Sequence, residues 1–175
     1  MSHYLIAGMT ESGKTTLAIA LSREFRRKRH SVAVLDPMHD LRWSYDFMTH
    51  KAEVFAPFVW SHKKLWVFID EAGAFGKFSD LTTGLMTRGR HLGHSVTLLT
   101  QNLTQVSPLI RGQASVVYLF ACTDEETKLV ASTFRQPSLL TMPPLPKGDF
   151  YKVSRFAEIE KYTIDFRTGR VIGKK

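Results

Sequence analysis

Residues 4–15 read Tyr4-Leu5-Ile6-Ala7-Gly8-Met9-Thr10-Glu11-Ser12-Gly13-Lys14-Thr15. Tyr4–Ala7 predicts a short apolar strand that ends at Gly8. Thr16–Arg29 predicts a helix, with Leu17, Ala20, Leu21 and Phe25 on one face. Between them, Gly8–Thr15 matches G-x-x-x-x-G-K-[ST] at every position, in the strand–loop–helix context that gives this pattern its meaning. The glycines permit backbone angles that other residues resist. The loop amides then point inward at a helix N-terminus, where the dipole favours anions. Lys14 is expected to reach the β- and γ-phosphates of a nucleotide, and the Thr15 hydroxyl to ligate Mg²⁺. The expected cradle is Gly8, Met9, Thr10, Glu11, Ser12, Gly13, Lys14, Thr15 and Thr16. A triphosphate repels the Glu11 carboxylate, so that side chain is expected to face solvent or a neighbouring subunit.

Working outward, Ser31–Leu35 predicts a second strand, closed by Asp36-Pro37. Residues 38–64 suggest a short helix near 40–48, a strand at 53–56 and a helical turn near 57–63. Leu65–Ile69 is a continuous apolar run, as in a strand buried on both faces. Ser79–His91 predicts a helix, Val96–Thr100 a strand, 104–111 a short helix and Ser115–Ala121 a strand. Asp124–Phe134 predicts a helix capped by Thr123 or Asp124. Strands alternating with helices argue for an α/β fold with a mainly parallel central sheet. Beyond residue 135 come Pro137, Pro143, Pro144 and Pro146, read as an extended connector. Phe150–Val153 and Tyr162–Phe166, with a turn at Arg167–Arg170, predict a small hairpin-like β extension. Residues 1–135 are therefore taken as the core, and 136–175 as a connector and basic extension packed on the same domain.

The chain has 175 residues, 43% of them hydrophobic, enough for one ordinary core. Its single cysteine, Cys122, excludes an internal disulfide and a cysteine-based zinc site and fits a reducing compartment. Residues 1–20 lack the pattern of a secretory signal. No apolar run approaches the roughly 18–20 residues needed to span a bilayer. A soluble intracellular protein is the expectation. The net charge is +8, which fits a polyanionic partner without naming one. The excess is confined to 23–30 and 147–175; the remainder holds eleven cations and eleven acids.

Leu65–Ile69 ends in Asp70-Glu71. In a phosphate-loop enzyme the strand-end Asp70 is expected to support Mg²⁺, and Glu71 to orient and deprotonate the attacking water. Val96–Thr100 leads into Gln101. Strand ends in such sheets face the ligand crevice, so Gln101 is expected to sense the γ-phosphate or the attacking water. Arg88 and Arg90 precede that strand, pointing roughly 200° apart for as long as a helix lasts. One of them is a candidate arginine finger for a neighbouring subunit's nucleotide, a surface salt bridge being the plainer alternative; Arg111 is a further candidate.

Arg90-His91-Leu92-Gly93, followed by an apolar strand ending Thr100-Gln101, resembles the signature of the FtsK/HerA superfamily of DNA-pumping ATPases. Val34-Leu35-Asp36-Pro37 resembles it too. Within that superfamily, the short length is similar to the genome-packaging ATPases of membrane-containing double-stranded DNA viruses, including tailless phages. The resemblance spans about residues 4–135. It implies a RecA-like fold, a homo-oligomeric, hexameric ring and ATP-driven translocation of double-stranded DNA. By residue it implies Lys14 and Thr15 at the phosphates, Asp70 and Glu71 at metal and water, Gln101 as sensor and Arg90 as the finger acting in trans. A packaging motor implies the host cytoplasm and the virion's packaging vertex, with capsid-vertex or membrane-associated portal proteins as partners.

Rival readings are a conjugation or filamentous-phage assembly ATPase, a small-molecule phosphotransferase, and a nucleotide-binding assembly factor that does not translocate. A phosphotransferase needs a lid and an acceptor-binding domain; the 38–64 insert is short for one, and Glu71 and Gln101 argue against that reading. Segment 23–30 reads either as a solvated helix end or as a contact for DNA or a partner. The basic tail, with Arg167, Arg170, Lys174 and Lys175, reads either as a solvated terminus or as a DNA- or capsid-docking element. His91 and His94 lack partners for a zinc set. Trp43, Trp60 and Trp66 read as core or interface anchors. Phe75–Phe78 is a candidate pore loop.

Overall fold

The computed structural model describes residues 2–70 and 79–174. Glu71 and the candidate loop Phe75–Phe78 lie outside the described residues. The elements run β1 (Tyr4–Ala7), α1 (Lys14–Arg27), β2 (Ser31–Leu35), β3 (Phe47–Thr49), α2 (Ala52–Ser61), β4 (Leu65–Ile69), α3 (Ser79–Arg88), β5 (Ser95–Thr100), α4 (Pro108–Gln113), β6 (Val116–Leu119), α5 (Asp124–Phe134), β7 (Asp149–Ser154), β8 (Glu160–Ile164) and β9 (Val171–Lys174).

Among the described residues, the strands join one nine-stranded sheet in the order β3-β2-β4-β5-β1-β6-β7-β8-β9. Strands β1 to β6 pair in parallel, and β7 to β9 continue the sheet antiparallel. This is the expected α/β architecture with a β extension. β1 sits centrally, with Ile6 opposite Leu99 on one side and Tyr118 on the other. Its neighbours come from later in the chain, so the loop leaving β1 opens into the crevice at the strands' C-terminal end.

Side chains alternate between two cores. Leu5, Ala33, Leu35, Val67, Ile69, Leu98 and Val117 face one, shared with Phe55, Leu85 and Phe134 of the helices. Ile6, Val32, Val34, Phe68 and Leu99 face the other, shared with Leu17 and Ala18 of α1 and with Trp43. Both faces of the parallel strands are therefore covered, which is why they read as continuous apolar runs.

Several local expectations are corrected. No helix spans 40–48. The Asp36 carboxylate instead ties that loop down, accepting hydrogen bonds from Met38 N (2.9 Å), Asp40 N (2.8 Å) and Trp43 Nε1 (3.0 Å). Residues 53–56 are helical within α2, despite Pro57 inside it. Burial of Ala52, Phe55 and Val59 on one face, with Phe58 stacked on Phe47 at 3.8 Å, outweighs the lost backbone bond. The helix at Ser79 stops at Arg88. A 3₁₀ turn, Gly89–Leu92, follows and closes on Gly93 at φ +84°. The segment 104–111 divides into a 3₁₀ turn, Leu103–Gln105, and α4, which Ser107 caps. The proline-rich connector contains a 3₁₀ turn, Pro137–Thr141. The hairpin gains a third strand, β9, on the other side of the Arg167–Arg170 turn. α5 carries a capping box made by Thr123 and Glu126.

Candidate functional site

The loop Gly8–Thr15 begins where β1 ends and runs into α1. Met9 N donates to Ala121 O (2.8 Å) and Phe120 N to Ala7 O (2.8 Å), so β6 clamps its first turn. Gly8 has φ +148°, and a Cβ there would lie 2.6 Å from Phe120 Cβ, so only glycine fits. Gly13 caps α1 at φ +119°. Ser12 Oγ is buried without a hydrogen-bond partner among the described residues.

A cavity of about 240 Å³ opens over this loop, lined by Thr10, Glu11, Lys14, Thr15, Asp70, Thr100 and Gln101, together with Asp36, Met38, Asp40 and Arg42. Lys14 Nζ donates to Met9 O at 2.8 Å. Thr15 Oγ1 donates to Asp70 Oδ2 at 3.0 Å, although the two are 55 residues apart. Thr10 Oγ1 donates to Gln101 Oε1 at 2.9 Å. Three strand ends thus converge: β1 brings the loop, β4 brings Asp70, β5 brings Gln101. Lys14 and Asp70 are 8% and 7% exposed, so charge on the cavity wall is poorly screened by water.

The donor set fits the expected ligands. A hydroxyl beside a carboxylate offers hard oxygen ligands to Mg²⁺, which needs few protein ligands and takes the rest from phosphates and water. No cluster of three or more His, Cys, Asp or Glu side chains occurs among the described residues, so nothing here resembles a self-sufficient metal cage. The buried Ser12 hydroxyl, left over inside the loop, adds a donor suited to an anion.

Glu11 points out, its side chain 81% exposed and 3.7 Å from Lys147 Nζ. Solvent is therefore its surroundings, as expected, along with a cation of the C-terminal extension. Arg88 and Arg90 are not brought to the cavity. They precede β5 while Gln101 follows it, which separates them by about 20 Å along the strand. Arg88 packs over the Trp60 ring at 5.5 Å, and Arg90 Nη2 donates to Gln113 O at 3.0 Å. Arg111 donates to the carbonyls of Leu103 and Val106, holding the loop after β5. His94 is fully buried; its Nδ1 accepts from Leu65 N (3.1 Å) and its Nε2 meets Val59 O (3.1 Å). It closes the sheet's other end.

In the basic segment 23–30, Arg26 pairs with Asp46 at 2.6 Å, and Glu24 pairs with Arg27 (2.9 Å) and Lys28 (3.2 Å). Hydrogen bonds from Arg27 and Lys28 lower the Glu24 carboxyl to about 2. Sequence reasoning missed Asp36, Asp40 and Arg42 on the cavity wall, and Phe166 beside the loop. The Asp36-Pro37 strand end was the one available signal for the first.

Among solved structures, the chain is similar to the DNA-packaging ATPase B204 of Sulfolobus Turreted Icosahedral Virus: TM-score 0.72, 17% identity, covering 91% of this chain and 96% of that one. It is similar to the genome-packaging NTPase B204 of Sulfolobus turreted icosahedral virus 2 in complex with AMPPCP: TM-score 0.71, 13% identity, 99% and 97% coverage. It is also similar to the pCW3 conjugation coupling protein TcpA with ATPγS: TM-score 0.72, 15% identity, 93% of this chain and 59% of that one. No family model and no curated protein matches the chain. The fold is thus one shared with a DNA-packaging ATPase, a genome-packaging NTPase and a conjugation coupling protein.

Proposed function

We propose that this chain is an ATP-hydrolysing motor that moves double-stranded DNA, and that it packages a viral genome. The observation that carries this reading is the Thr15–Asp70 contact beside Lys14 and Gln101, in one cavity over a glycine loop. The near-complete mutual coverage with the B204 NTPases supports packaging over conjugative transfer, since TcpA is matched over only 59% of its length.

Lys14 and the loop amides hold the β- and γ-phosphates. Thr15 and Asp70 would hold Mg²⁺, which when bound supplies charge neutralisation between those phosphates. Glu71, next after Asp70, takes the proton of the attacking water. Gln101, bonded to Thr10, registers the presence of the γ-phosphate and passes its loss to the end of β5. Arg90 stands a strand's length from its own cavity, so as an arginine finger it would serve the nucleotide of another copy. A head-to-tail homo-oligomer, a hexameric ring, meets this need. Neighbouring capsid-vertex or portal proteins would anchor the ring, in host cytoplasm and then at the virion vertex. No helix among the described residues is long and apolar enough to cross a membrane.

Duplex DNA should stimulate phosphate release by the purified chain, with a salt-sensitive and sequence-independent response. Absence of stimulation, with phosphate passed to a small acceptor, would overturn the motor in favour of a phosphotransferase. Native mass in ATP should exceed the monomer's; a monomer at every concentration would remove the finger in trans.

A further inference from the structure

We propose that the C-terminal β extension supplies the base-binding side of the nucleotide site, with Phe166 as the stacking platform. This rests on the reading of Gly8–Thr15 as a phosphate cradle. A second cavity, of about 130 Å³, lies against the loop and is lined by Glu11, Gly13, Lys14, Thr15, Thr16 and Phe166. It shares Glu11, Lys14 and Thr15 with the larger cavity, so the two meet across the start of α1. Asp70 and Gln101 belong to the first cavity and must face the γ-phosphate. A triphosphate laid along the loop therefore carries its nucleoside the other way, toward Thr16 and Phe166.

Phe166 is held in place there. A Cβ on Gly13 would lie 3.3 Å from its Cζ, and one on Gly148 would lie 2.9 Å from its Cε2. Both glycines have positive φ, +119° and +86°, and their bare backbones make the slot for the ring's edge. The extension is tied to the loop by Gly148 N donating to Ser12 O (3.1 Å), and Ile164 N donates to Gly148 O (2.8 Å). The Asp165 carboxylate accepts from Arg167 N and Thr168 Oγ1, both at 2.8 Å, which fixes the turn following Phe166. With all these contacts Phe166 still leaves 45% of its surface exposed. A ring fixed at its edge with surface still open is preorganised for stacking, because little side-chain entropy remains to be lost. Lys147 Nζ lies over the ring, 5.7 Å from its centroid, and pairs with Glu11, so the carboxylate that borders both cavities has a cation beside it. Stacking recognises a π-face, so the ligand class is a nucleoside triphosphate rather than one particular base.

The test compares binding of ATP and of inorganic tripolyphosphate, each with Mg²⁺, to the full chain by calorimetry. Phe166→Leu keeps apolar packing and removes the π-face. It should raise the Kd for ATP about fivefold or more and leave tripolyphosphate unchanged. Phe166→Trp should restore ATP binding. The proposal is overturned if Phe166→Leu leaves ATP binding intact, if both ligands weaken equally, or if Phe166→Trp is as weak as Phe166→Leu. Wild-type protein that binds neither ligand would instead sink the phosphate-cradle reading, and this proposal with it.

Discussion

At the C-terminal end of the parallel strands, Lys14, Thr15, Asp70 and Gln101 line a cavity of about 240 Å³. At the N-terminal end, His3 and His94 are fully buried. His3 Nδ1 accepts from Val96 N (3.2 Å) and His94 Nδ1 from Leu65 N (3.1 Å). Both ends gather polar side chains where strands stop. The first includes bonds from side chain to side chain, Thr10–Gln101 and Thr15–Asp70, beside the Lys14 bond to the Met9 carbonyl. The second joins side chain to backbone inside a closed wall. A ligand can replace bonds of the first kind without disturbing the sheet. Bonds of the second kind are part of the sheet, since a buried N–H left without an acceptor costs stability. Polar side chains at the two ends thus make a site or a seal according to what they bond.

Substitutions can break this contrast. The largest effect is expected at the open end. Lys14→Ala should remove ATP binding and turnover while leaving Tm nearly unchanged, whereas Glu71→Gln should keep binding and lose turnover. Filter binding and phosphate release separate the two; unchanged hydrolysis in Glu71→Gln would remove its role as base. Next comes Arg90→Ala, which tests whether the closed end is purely structural. As a finger in trans, its loss should lower turnover about 10³-fold or more with binding intact. Mixing it with Lys14→Ala subunits should then recover activity. If turnover is untouched, Arg90 only braces Gln113.

A smaller effect, on stability alone, is expected for His94→Ala. It strands Leu65 N and Val59 O and should cost about 1–3 kcal/mol in urea unfolding. ATP turnover per folded molecule should stay normal. The smallest is a pH slope. Burial first, then the positive charge of Arg90, pushes the His3 imidazole down from 6.5 to about 4. Folded His3 stays neutral there while the unfolded chain takes up the proton, so stability should fall as pH drops from 6.5 toward 4. Burial lowers His94 in the same direction. His3→Gln can still accept from Val96 N, and its urea midpoint should vary less over that window.

The parallel half of the fold was legible because its signals are local or periodic. Gly8–Thr15, the apolar run Leu65–Ile69 and the Asp70 strand end each announce their place in the fold within a few residues. The stretch 38–64 was not legible. The Asp36 carboxylate organises its loop by three bonds whose partners no pattern announces, and Pro57 sits in a helix held by burial of Phe55 and Val59. Gln101 was placed correctly at a strand end, but its partner Thr10 is 91 residues away in sequence.

The sequence by itself determined that strands and helices alternate and that a glycine loop followed by lysine and threonine lies between the first pair. It determined this because hydrophobic period and glycine placement act over short distances. Only the tertiary structure decided what surrounds that loop. Strand order set Asp70 against Thr15, kept Arg90 at the opposite end of β5, and carried Phe166 back from the end of the chain to Gly13. Those placements depend on which strands pair, and pairing is decided by packing of the whole sheet.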